Sequence, residues 1–250
     1  MGAQMEPILH PDPESLAAAI AARLVTAILD AQADHGIAQV VLTGGTIGTA
    51  SLAAVRDEPA QAAVDWSAVE FWWSDERFEP SGSELRNETG AREALLDHLP
   101  INPDRVHPMP ARGGASGDDI AAAATAYAEE LAAAAPDGAA YPAFDVAMLG
   151  VGHDGHVASL FPGFAPPPAG ATVIPVLDSP KPPPTRLSFT LDVINSASEV
   201  WLVADGAVKA TALAEALNPP VGQSTVPAGM VHGRNRSLAL IDRAAAGSLT

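Results

Sequence analysis

Two stretches of the chain gather side chains that can move protons and hold anions. In "MLGVGHDGHVASLFPG" (148–163), Gly150, Gly152 and Gly155, two histidines and an aspartate follow an apolar run. In "WWSDERFEP" (72–80), Asp75, Glu76 and Arg77 stand together where an apolar run meets charge. The first stretch admits three chemistries. Gly150, Gly152 and Gly155 spell G-x-G-x-x-G, the spacing of a dinucleotide fingerprint. His153, Asp154 and His156 are all potential metal ligands. Alternatively, His156 is a general base held by neighbouring turns and by Asp154.

The flanking residues weigh against the first two. A dinucleotide site needs a helix after the third glycine and an acidic residue about 20 positions further on. Here Pro162 stops any helix within two turns, and proline-rich sequence follows. The two histidines are three apart, no third ligand stands at a recognisable spacing, and the chain has no cysteine. No metal is expected. His153 reads as a loop residue facing water, and His156 keeps the chemical role.

Three stretches, "WWSDERFEP" among them, could hold an anion. "LTGGTIG" (42–48) sets Gly44 and Gly45 before Thr46, where a helix would begin, so backbone N–H groups and the helix dipole would face a phosphate. No G-K-[ST] follows, so it is not a Walker loop. Arg77 offers charge-assisted hydrogen bonds to a phosphate or a developing oxyanion, and Asp75 could relay protons. In "VADGAVKATAL" (203–213), Lys209 sits in the first turns of a helix, where the dipole gives a cation nothing and a bound anion would. Each has a plainer alternative: a tight turn, an exposed ion pair, a solvated lysine.

Those stretches all follow apolar runs, and the rest of the chain explains why. A helix is expected from Pro13 to about Ala33 with Gly36 as its stop, then a strand over 37–45 and a helix in "TASLAAV". One continuous strand is expected over 69–77, then a loop leading into helix within "SELRNETGAREALLDHL". A helix capped by Asp118 or Asp119 follows the Pro- and Gly-rich 100–118. Strands are expected at 143–150, 198–206 and from 236, with an alternating segment at 186–191 and a helix in "AVKATALAEAL". Strands alternating with helices imply an α/β fold with a mainly parallel sheet, helices on both faces, and ligands beyond the carboxyl ends of the strands. The proline loops "FAPPPAG" and "SPKPPPTR" are too short to separate folding units, so 1–250 is expected to be one domain.

Composition narrows the partners. The formal charge of −17 repels nucleic acid and anionic membrane, and an anionic substrate would need a local cationic pocket. "SLAAAIAARLVTAILDA" is apolar, but Arg23 interrupts it and polar residues flank it, as in an amphipathic helix. The N-terminus lacks the basic and apolar regions of a signal peptide, and cysteine is absent. A cytoplasmic protein is expected, working as a monomer.

In sequence order, "LTGGT", "WSDERFEP", "MLGVGHDGHVASLFPG", the lysine in "WLVADGAVKATAL" and "VPAGMVHGRNRSLALIDRAAA" resemble the 6-phosphogluconolactonase family from about residue 40 onwards. The resemblance implies hydrolysis of 6-phospho-D-glucono-1,5-lactone to 6-phosphogluconate, with no cofactor. It also implies the three-layer α/β/α fold of the glucosamine-6-phosphate deaminases. On that basis His156 activates water, Asp154 or Asp75 steadies its imidazolium, and Arg77, Lys209 and the Gly44, Gly45 and Thr46 amides grip the phosphate. Arg186 is a further phosphate candidate and Asn87 is carried over from a Ser-Asn pair. Arg86, which replaces that serine, either adds a cation or points away. The chain also departs at Ile47-Gly48, where the family usually has proline after Thr or Val.

Two other functions are weighed. A glucosamine-6-phosphate deaminase would carry F-N-E-P after the DGH block, but here Ser159-Leu160-Phe161-Pro162 brings no carboxylate. A sugar-phosphate sensor on the same fold would need a DNA-binding segment, and the first 36 residues contain no basic helix-turn-helix.

Overall fold

The computed structural model describes residues 3–218, 226–247 and 249; the remaining positions of the expected 1–250 domain lie outside the described residues. In chain order the elements are β1 (Met5–His10), α1 (Pro13–His35), β2 (Ala38–Leu42), α2 (Gly45–Val55), β3 (Val69–Trp73), β4 (Asp75–Arg77), α3 (Asn87–Ala94) and α4 (Ile120–Ala134). They continue with β5 (Val146–Gly150), β6 (Val173–Val176), β7 (Arg186–Phe189), α5 (Leu191–Ile194), β8 (Glu199–Ala204), α6 (Ala210–Leu217) and β9 (Arg236–Asp242).

Among the described residues, six strands form one sheet in the order β1-β9-β8-β5-β2-β3, every neighbouring pair parallel. The two-residue period of a strand divides its side chains between two cores. Val40, Phe71, Trp73, Met148, Trp201 and Leu240 pack on one face with α1, α2 and α3. Val41, Trp72, Leu149, Leu202 and Ile241 pack on the other with α4, α5 and α6. These strands are buried on both faces, which is why they read as continuous apolar runs.

The helix signals in the sequence act as read. Asp12 caps α1 by accepting from the Ser15 amide at 2.8 Å, and the Gly36 amide closes the helix on Gln32 O. By length and hydropathy α1 could span a membrane, yet Leu16, Ile20, Leu24 and Ile28 are buried in the core. Asp119 caps α4, accepting from the Ala121 and Ala122 amides at 3.0 Å each.

Two expectations are corrected. Residues 69–77 are not one strand. The Ser74 amide donates to Leu42 O, whereas Ser74 O accepts from the Phe189 amide, so the chain leaves the large sheet there. It continues as β4 in a second, antiparallel sheet of order β4-β7-β6. The other correction is β1, which the sequence reading leaves without structure. It is an edge strand beside β9, and an edge tolerates Pro7, whose missing N–H would break an interior ladder.

Candidate active site

The carboxyl ends of β2, β3, β5 and β8 converge on a cleft of about 350 Å³ that the loops of the small sheet cover from one side. His156, Asp75, Arg77, Asn87, Gly44, Gly45, Thr46, Arg186 and Lys209 all line it. Asp154 stands behind His156 and is absent from the wall.

The loop after β5 fixes the histidine. The Gly152 amide donates to His156 O at 2.9 Å and the Gly155 amide to Gly152 O at 3.0 Å, closing a tight turn. A Cβ on Gly152 would collide with the His156 ring and with Asp154, so only glycine lets the imidazole fold back over the turn. Nδ1 of His156 bonds Asp154 Oδ1, and the ring lies 4.6 Å from that of Phe161. A carboxylate at Nδ1 selects the tautomer with the proton there, leaving Nε2 as the acceptor open to the cleft. Burial holds His156 below the ordinary histidine value; the Asp154 hydrogen bond opposes that, and the nearby Lys181 ammonium adds to it. The ring is therefore neutral at neutral pH. Burial alone would raise Asp154, but its bond to His156 outweighs that and keeps it below the usual carboxylate range.

No helix follows Gly155, so the glycine spacing builds no dinucleotide site. His153 is exposed on the cleft lip, and no group of three or more His, Cys, Asp or Glu among the described residues is gathered as metal ligands.

The β3-to-β4 crossing places the second acid. Asp75 is buried, accepts from Ser159 Oγ at 2.7 Å and from Asn87 Nδ2 at 3.4 Å, and has Arg186 Nη1 at 4.0 Å. Asp154, not Asp75, holds the imidazole. Next to it, Glu76 accepts from the amides of Arg77, Asn87 and Glu88 at 2.7–2.9 Å, so its carboxylate caps α3 from another segment. Burial pushes Glu76 up to about 7, against the pull of Arg86 and those three N–H groups. Arg86 points away from the cleft. It is buried, donates to Met109 O at 2.7 Å and pairs with Glu88 at 3.1 Å.

The cations arrive on three elements. Arg77 and Arg186 are register partners across β4 and β7, so two guanidiniums stand side by side. Arg77 donates to Leu85 O, and Arg186 to the carbonyls of Lys181 and Pro183. Lys209 ends the turn before α6, 3.8 Å from Asp205, and burial holds its ammonium below the usual lysine value. Opposite them α2 begins at Gly45 with no side chain capping its first turn, which leaves backbone donors for an anion. A Cβ on Gly44 would strike Asn87, so the glycine brings that turn close to the β4 side. Gly48, the departure from the family pattern, is also packed closely: a Cβ there would lie 2.9 Å from Thr43 Cγ2.

Sequence reasoning missed Lys181, which lines the cleft from the proline loop before β7, and the capping role of Glu76. The only mark of Lys181 in the sequence is its isolation, as the sole Lys or Arg between Arg112 and Arg186. A larger cavity of about 510 Å³ lies between α1 and α2, but its charged lining is Glu14, Asp57, Glu58 and Asp205, with no cation for an anionic substrate.

A model of the glucosamine-6-phosphate isomerases/6-phosphogluconolactonase family matches residues 11–240. The chain belongs to that family. It is 53% identical to a 6-phosphogluconolactonase of Streptomyces coelicolor over 245 residues, covering 97% of this chain and 94% of the relative. It is 45% identical to that of Mycobacterium tuberculosis, with 96% and 97% covered. The structure of the 6-phosphogluconolactonase of Trypanosoma brucei superposes with a TM-score of 0.84 at 28% identity, over 99% of each chain. Family membership agrees with the three-layer α/β/α arrangement described above.

Proposed function

We propose that this protein hydrolyses 6-phospho-D-glucono-1,5-lactone to 6-phosphogluconate, the lactone step of the oxidative pentose phosphate pathway. One observation carries the proposal: a neutral His156, backed by Asp154, opens Nε2 into a cleft whose walls hold four cations and a helix N-terminus. The names of the most similar relatives support the same substrate.

The lactone is an activated ester, so water needs only a well-placed base. His156 Nε2 takes a proton as the water oxygen bonds C1, and the carbonyl pair moves onto its oxygen. Collapse of the tetrahedral intermediate breaks the bond from C1 to the ring oxygen, which takes the proton back from His156. Asp154 steadies the imidazolium between the two transfers. Acid–base help of this kind contributes about 10²–10⁴ in rate. Arg77, Arg186, Lys209 and the Gly44–Thr46 amides hold the phosphate, so binding energy far from C1 orients the lactone. Asp75, through Ser159, Asn87 and Arg186, positions the wall beside the histidine. No step calls for a cofactor. The chain works as one catalytic domain, as a monomer in the cytoplasm.

The test follows proton release from freshly prepared lactone against its spontaneous hydrolysis, alongside ammonia release from glucosamine 6-phosphate. Lactone turnover without ammonia is expected, and Lys209→Ala should mainly raise KM. Ammonia release without lactone turnover would overturn the assignment in favour of a deaminase.

A further inference from the structure

Ala158 has a φ of +50°, and among the described residues it is the one non-glycine residue with positive φ. That region is costly for an L side chain, because Cβ crowds the following carbonyl. The local fold explains the angle. Val157 and Leu160 are bridged as antiparallel partners, and the Leu160 amide donates to Val157 O at 3.0 Å. Ala158 and Ser159 are therefore the central pair of a two-residue turn. Positive φ at the first central position alone is the pattern of a type II′ turn, where glycine is the usual residue. Strain of this kind persists only where surrounding contacts over-determine it, and it gathers at functional sites. Ala158 is buried, lines the cleft and follows His156 by two residues.

The contacts that enforce the turn come from Ser159, which is itself buried. Its Oγ donates to Asp75 Oδ2 at 2.7 Å and its amide donates to Ser188 Oγ at 3.2 Å. Asp75 and Ser188 are register partners across β4 and β7, two residues from the partnered pair Arg77 and Arg186. The two-residue period sets all four on one face of the small sheet, with the two pairs about 7 Å apart along the strands. The loop that carries His156 is thus clipped to the face that presents two of the cleft cations. We propose that Ser159 is a positioning residue: by holding Ala158 at positive φ, it fixes the His156 imidazole at a set distance from the Arg77–Arg186 pair. This rests on the lactonase assignment above. A phosphate held by those guanidiniums then brings the lactone carbon to the base in register, with no rearrangement of the loop.

The experiment compares wild type, Ser159→Ala, Ala158→Gly and the double variant in lactone hydrolysis, corrected for the spontaneous reaction, and in their crystal structures. Thermal melting checks that each folds. Ser159→Ala leaves Asp154 on His156 and leaves the cations in the cleft. Its kcat should fall by about 10²-fold while KM stays within about twofold of wild type. Freed from Asp75, Ala158 should relax to negative φ in that structure, carrying the His156 ring with it. Glycine adopts positive φ without penalty, so adding Ala158→Gly to Ser159→Ala should recover about tenfold in kcat. Ser188→Ala, which removes the other bond, should show the same split to a smaller degree and serves as the test should Ser159→Ala not fold. A folded Ser159→Ala variant that keeps its kcat would overturn the proposal. So would a loss that Ala158→Gly does not recover, or an Ala158 φ that stays positive in Ser159→Ala. If wild type does not hydrolyse the lactone, the lactonase assignment falls, while the Ser159→Ala structure still decides whether Ser159 holds the turn.

Discussion

His156 is tuned by opposing neighbours. Burial under Phe161 and the approach of Lys181 favour the neutral ring, while Asp154 favours the charged one and fixes which nitrogen keeps the proton. A base must be unprotonated to act, so activity is lost as pH falls through its pKa. Because that pKa is lowered, the acid limb of kcat/KM, corrected for spontaneous hydrolysis, should lie below the ordinary histidine value of 6.5. Asp154→Asn removes the influence that raises the pKa. It should move the limb to still lower pH and cut kcat by about 10²-fold, because the imidazolium loses its partner. A limb that moves upward in this variant would show that Asp154 does not act on the ring. His156 and Asp154 could be found from sequence because they lie two residues apart in one turn. Lys181 could not, because nothing local shows that a proline loop 25 residues downstream folds back over that turn.

The elements show the same division between near and distant information. The parallel strands, α1 and the caps at Asp12 and Asp119 follow from apolar runs and local hydrogen bonds, and the sequence is enough to place them. The break at Ser74 depends on which strands pair on either side of it, Leu42 below and Phe189 above, and the run "VEFWWSDER" carries no mark of it. That break creates the wall holding Asp75 and Arg77, and Glu76 fastens the wall to α3. The folded-state pKa of Glu76, about 7, lies above its unfolded value of 4.5. Its contribution to stability is therefore fully present below pH 4.5 and declines as pH rises to 7, by on the order of 1–3 kcal/mol. Glu76→Gln should flatten this dependence when Tm is followed across that window, while lowering stability overall, because an amide cannot accept all three N–H bonds. An unchanged pH profile would mean that Glu76 stays ionised in the folded protein throughout.

Across the whole molecule, charge is distributed against the average. The chain carries −17 overall and only thirteen Lys and Arg, yet four of them, with both lysines among them, line one cleft. The acidic exterior does not attract a phosphorylated sugar, so recognition depends on this local cluster, assembled by two sheets and the N-terminus of α2. The fold thus gathers residues from position 44 to position 209 around one reactive carbon. The most direct test is proton release from fresh 6-phosphogluconolactone by wild type and by folded His156→Ala. Wild type should greatly exceed the spontaneous rate, and the variant should fall by about 10²–10⁴-fold towards it. Full turnover by His156→Ala would contradict the assignment of the base, and a wild-type rate no faster than spontaneous hydrolysis would contradict the lactonase assignment itself.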